Sequence, residues 1–205
     1  MVKNKIKRGI RVSRYIIYKE TLVDSKEHFW SFLGAFIGIA IIAFLQSYIL
    51  TKDENIFLIG SFGASSVLIY GAIQSPLSQP RNLIGGHLIS AILGVTIYKV
   101  CPDIIWITAP LAVSLSIVVM QITKTLHPPG GATSLIAVIG SDNITELGYF
   151  YVLSPVLSGT LILFGVGIIF NNITPYRKYP TSRRFTNSIK KIFRGKLTKS
   201  LFSRS

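Results

Sequence analysis

The chain has 205 residues, 49% of them hydrophobic, and a mean hydropathy of +0.51. Only 15% are charged, against roughly 25% in soluble domains, which excludes an ordinary water-soluble enzyme or binding module. A net charge of +14 would point to nucleic acid in a soluble protein, but eight of the 22 cations lie in residues 1–28 and ten in residues 171–205. They flank an apolar body, the positive-inside pattern of a membrane protein, so no nucleic-acid partner is expected.

The chain divides into a basic segment 1–28, a transmembrane body 29–173 and a basic tail 174–205. The polar leader is too long for a secretory signal, and the apolar run that follows, Phe29 to Leu50, is long enough to span. Leu83 to Val100, Ile104 to Ile122 and Tyr149 to Phe170 read as three more spanning helices. Both termini are expected in the cytoplasm of a multi-pass cell-membrane protein. In the tail, Phe185, Ile189, Ile192, Phe193, Leu197 and Leu201 fall at helical spacing among cations, which predicts an amphipathic helix on anionic headgroups or, failing that, a solvated basic tail. Cys101 is the single cysteine, so no internal disulfide can form.

Two further apolar segments are interrupted. Ile56 to Ile73 contains Gly60, Ser61, Gly63, Ser65 and Ser66; Leu126 to Gly140 opens with His127-Pro128-Pro129-Gly130-Gly131. Set 68 residues apart they match, Gly63-Ala64-Ser65-Ser66 over Gly131-Ala132-Thr133-Ser134, and the same offset puts Ser90 over Ser158. The pattern predicts an all-α bundle of two inverted three-helix repeats with broken second helices. Four spans plus two re-entrant segments is the alternative, and charge separates the two weakly. With six passages Arg81 and Lys124 are cytoplasmic, and only Lys52 and Lys99 lie outside.

Broken helices at membrane depth are tolerated where they line a cavity or pack on protein. In both halves the small residues suggest an extended lead-in and a helix starting near mid-bilayer. Such a start offers free amides and a positive dipole end to an anion. Gly63, Ala64, Ser65 and Ser66 in one copy, and Gly130, Gly131, Ala132, Thr133 and Ser134 in the other, are the candidate binding residues. The competing explanation is close helix packing by small side chains. His127 is an anion donor, a proton carrier or a cap; its ordinary pKa near 6.5 permits titration near neutrality. His87 is either a ligand or the maker of an interhelical hydrogen bond, and Arg81 either an anion-attracting group or a positive-inside anchor.

No Asp or Glu falls inside an apolar span, so carboxylate catalysis, cation sites and acidic proton relays lack their usual ligands. Three dispersed histidines and one cysteine offer no metal cluster, and neither metal nor cofactor is expected.

Gly60-Ser61-Phe62-Gly63-Ala64-Ser65, Ser75-Pro76-Leu77-Ser78-Gln79-Pro80-Arg81-Asn82 with Ile84-Gly85-Gly86-His87, Leu126-His127-Pro128-Pro129-Gly130-Gly131-Ala132-Thr133 and Asn171-Asn172 together resemble the HPP family of integral membrane proteins, over roughly residues 29 to 180. That family is usually described with four spans, and its plant chloroplast and cyanobacterial members are associated with nitrite transport. The resemblance therefore implies nitrite or a similar small inorganic anion as substrate, carried by a transporter or channel. A non-transporting scaffold or sensor is the alternative, and an intramembrane enzyme using His127 as base lacks an acidic orienting partner. A homo-oligomer is compatible with all three.

Overall fold

The computed structural model describes residues 25–48, 60–174 and 177–182; the predicted amphipathic helix after residue 182 lies outside them. Every regular element described is helical. In chain order these are α1 (Ser25–Gln46), α2 (residues 60–66 continuing into a π-helical turn, Val67–Gly71), α3 (Pro80–Val100), α4 (Ile105–Ile122), α5 (Pro128–Ile139), the short α6 (Asp142–Glu146) and α7 (Val152–Phe170). A 3-10 turn, Pro76–Ser78, joins α2 to α3.

Among the described residues four helices are long and apolar enough to cross a membrane: α1 from Glu27, α3, α4 and α7. At 12 residues α5 is shorter, about 18 Å against a hydrocarbon core of about 30 Å. Its lead-in makes up the distance. Arg81 at the start of α3 donates to Thr123 O at 2.7 Å, Thr125 lies on Gly85, His127 lies on Gly86 and Ser134 on Gly94. Val138 then shares a cavity wall with Tyr98. The chain from 123 to 139 thus runs the length of α3 as coil and then helix.

The two ends of the bundle are distinct. One gathers Glu27 of α1, Tyr70 of α2 and Arg177 beyond α7. The other gathers Thr96 and Lys99 of α3 with Tyr149 before α7. α2 therefore ends where α1 begins, and α5 runs from the loop end towards the far end. Four long helices and two short ones form an all-α polytopic bundle, the short pair lying at the two interrupted segments that the 68-residue offset matches. Its packed body reaches past 29–173 on both sides, since Glu27 and Arg177 pair and Tyr179 is buried.

Glycines set the closest contacts. A Cβ on Gly94 would meet Ser134 O at 2.5 Å, and one on Gly86 would meet the His127 Cβ at 2.5 Å, so α3 and α5 approach at backbone distance through small residues. Gly159 admits the Phe62 ring in the same way. α7 is interrupted near its start by Ser154, whose φ of −138° and ψ of 122° are extended, just before Pro155.

Candidate functional site

Where α2, α3 and α5 cross, five polar side chains meet out of solvent: Ser61, Ser65, His87, His127 and Thr133. The His87 Nε2 lies 2.8 Å from Ser65 Oγ and its Nδ1 lies 2.7 Å from Thr133 Oγ1. Ser65 Oγ is also 3.0 Å from His127 Nε2, and Ser61 Oγ is 2.9 Å from Thr133 Oγ1. His127 Nδ1 lies 2.8 Å from Leu77 O in the loop after α2. A carbonyl only accepts, so His127 carries its proton on Nδ1 and a neutral ring presents a bare Nε2.

Several contacts complete the knot. Ser61 Oγ is placed to donate to Pro129 O at 2.9 Å, and Ser65 Oγ to Ser61 O at 3.1 Å. Tyr151, just before α7, donates to Thr133 O at 3.0 Å. The two imidazoles lie 5.0 Å apart, and the Phe62 ring lies 5.5 Å from His87. Ser61 and Pro129, which touch, are themselves 68 residues apart, so the repeats meet at equivalent positions.

The structure therefore brings together Ser65, His87, His127 and Thr133 of the sequence-derived set and adds Ser61. It leaves others apart. Ser134 turns back on Gly131 O at 2.9 Å, Gly130 is pressed against Ser90 and Gly86, and Gly131 and Ala132 are half-buried. Gly63 is half-buried, Ala64 is exposed, and a Cβ on Gly63 would meet nothing within 4 Å. Arg81 is exposed at the loop end. Ser66 is buried, and its Oγ has no hydrogen-bond partner among the described residues.

The amide donors expected at the two helix starts are not there. Residues 60–66 are already helical, which places the amides of Ser65 and Ser66 inside a helix. In α5 Pro128 and Pro129 have no amide hydrogen, and the Gly130 amide donates to His127 O at 2.8 Å. What remains at this crossing is a set of hydroxyls and imidazoles beside the positive end of α5, whose N-cap is His127.

A second polar cluster went unseen in the sequence. The Arg177 guanidinium, 3% exposed, pairs with Glu27 at 2.8 Å and donates to Tyr70 O and to Asn171 Oδ1, each at 2.8 Å. Asn171 donates in turn to Ile69 O at 2.8 Å, and Ser31 to Tyr70 O at 2.7 Å. The π-helical turn leaves these last carbonyls of α2 without intrahelical partners, and a cation with two neutral donors caps them. The only sequence hints were Asn171-Asn172 and an acid at the head of α1. Nearby Tyr179 donates to Ser78 O at 2.8 Å, and burial raises its hydroxyl above the usual phenol range, keeping it a neutral donor.

Long apolar helices, two short ones between them and a buried polar crossing define a polytopic helical membrane protein. The family model described as "HPP, transmembrane region" matches residues 20–180, and the chain belongs to that family. It is 46% identical over 163 residues to one transmembrane protein of Dictyostelium discoideum, covering 77% of this chain and 51% of the relative. To another from the same organism it is 42% identical over 160 residues, covering 77% and 56%. The chain thus spans about half the length of the curated relatives it matches. No solved structure matches it.

Proposed function

We propose that the protein moves a small inorganic anion, nitrite first, across the bilayer of the cell membrane, with both chain ends cytoplasmic, and that it is not an enzyme. The observation that carries the reading is the crossing itself. Two repeat-related hydroxyls, Ser65 and Thr133, flank one buried histidine inside an apolar bundle. Buried polar groups at membrane depth are costly and concentrate on solute pathways, and the midplane junction of repeats is where transporters place their substrate. An anion is favoured because the positive end of α5 lies there, while the chain has no acid inside an apolar span. Ser66, the residue after Ser65 on α2, is buried with no hydrogen-bond partner for its Oγ among the described residues, and is the donor assigned to the solute. Nitrite, weakly hydrated and monovalent, exchanges water for a few such donors.

Flux through vesicles reconstituted with the full chain tests the reading. Nitrite, nitrate, formate and chloride are offered in turn. Protein-dependent uptake that falls about tenfold in Ser66→Ala, as expected for removing a hydrogen bond to a charged solute, supports it. Uptake equal to that of protein-free vesicles for every anion overturns it.

A further inference from the structure

The hydrogens at the crossing can be placed in two consistent ways. With both rings neutral, the Nδ1–H of His127 on Leu77 O leaves its Nε2 an acceptor, and every bond along the chain is made when the other donors point the same way. Ser61 donates to Thr133, Thr133 to His87 Nδ1, His87 Nε2–H to Ser65, and Ser65 to His127 Nε2. One added proton reverses the chain without moving a heavy atom. His127 Nε2–H then donates to Ser65, Ser65 to His87 Nε2, His87 Nδ1–H to Thr133, Thr133 to Ser61, and Ser61 to Pro129 O. The Ser61 contact with Pro129 O is used only in this second arrangement. Both forms leave every member satisfied, as a buried polar network requires.

We propose that the Ser61–Thr133–His87–Ser65–His127 chain is a proton relay that loads one proton with each anion carried; this rests on the transport reading above. A hydronium proton taken up at Ser61 Oγ forms one O–H bond there as the existing Ser61 proton passes to Thr133. The Thr133 proton passes to His87 Nδ1, the His87 Nε2 proton to Ser65, and the Ser65 proton to His127 Nε2. The net change is one N–H bond gained on His127 and one water released. The reverse sequence returns the proton to water.

Charge supplies the coupling. An imidazolium at His127 sits at the positive end of α5, which disfavours it. α2 offers it only Ser61, Ser65 and the Phe62 ring, and α3 only His87, with Arg81 turned to Thr123 O. α5 contributes Thr133, and Tyr151 just before α7 contributes its hydroxyl. α4 carries no titratable side chain, and Lys124 in the loop after it is exposed. Of the described acids Glu27 is held by Arg177, Asp103 lines a cavity at the opposite end, and Asp142 and Glu146 belong to α6. Among the described residues no carboxylate neutralises the added proton, so a bound anion is the counter-charge, and each binds better when the other is present.

The test uses vesicles holding the full chain, a trapped pH indicator and either nitrite or nitrate, with protein-free vesicles subtracting the leak of nitrous acid through lipid. An inward anion gradient is expected to acidify the lumen, and an imposed inward proton gradient to raise anion accumulation about tenfold. Ser61→Ala, which removes the far link, lowers the protons moved per anion. Anion flux that leaves lumenal pH unchanged and ignores the proton gradient overturns the relay and leaves transport standing. No protein-dependent movement of either ion overturns both. The wild-type readings decide the matter even if the variant is unstable.

Discussion

Ser65 and Thr133, 68 positions apart in the chain, hydrogen-bond to opposite nitrogens of one imidazole, that of His87. The residue joining the two halves belongs to the third helix of the first half, so the repeats are pinned by a shared side chain rather than by apolar contact alone. Thr133→Val keeps the shape and removes the hydroxyl, leaving a buried His87 nitrogen and Ser61 with fewer partners. A loss of about 1–3 kcal/mol in mixed-micelle denaturation is expected, with Thr133→Ser close to wild type. Equal stability of Val and Ser variants would show that the bond carries no weight.

Ser66 is the opposite case. Its hydroxyl is buried without a partner among the described residues, so Ser66→Ala is expected to leave stability unchanged or raise it by about 1 kcal/mol while lowering anion flux. Parallel loss of both would make the residue structural.

The glycines separate packing from solute access. Gly94→Ala and Gly86→Ala press a methyl into backbone or the His127 side chain and should each cost about 1–3 kcal/mol. Gly63→Ala meets nothing within 4 Å inside a helix, and is expected to gain about 0.5–1 kcal/mol. Denaturation midpoints in a single detergent rank all three.

Much of this was legible in the sequence. The four long helices show as uninterrupted apolar runs, and the two short ones as matching interruptions whose paired Ser65 and Thr133 do meet. The Gly130–Gly131 start reads as amide-rich in the sequence, while the turn that commits the Gly130 amide to His127 O cannot be seen in a string of residues. Glu27 and Arg177 are 150 residues apart, and nothing periodic links them. Arg177 is drawn there by the Tyr70 carbonyl at the π-helical end of α2, and Glu27 supplies its counter-charge.

That cap yields its own expectation. Removing the Arg177 side chain leaves the partly exposed Glu27 carboxylate and Asn171 Oδ1 without their donor, while Ser31 still donates to Tyr70 O, so Arg177→Ala should cost about 1.5–3 kcal/mol. Glu27→Gln keeps an acceptor in place but leaves the buried guanidinium without its counter-charge, and should cost about 3 kcal/mol. A double-mutant cycle between the two gives the coupling; additive effects would mean the ion pair at 2.8 Å contributes nothing beyond its separate contacts.

The most direct measurement of the central claim is uptake of nitrogen-15-labelled nitrite into vesicles holding purified full-length chain, followed by mass spectrometry against protein-free vesicles. Saturable, protein-dependent uptake that falls sharply in His87→Phe, which keeps a ring but offers no donor or acceptor, is the predicted result. Uptake that matches the protein-free control, or that is unchanged when His87 is replaced in a folded variant, would contradict a solute path through this crossing.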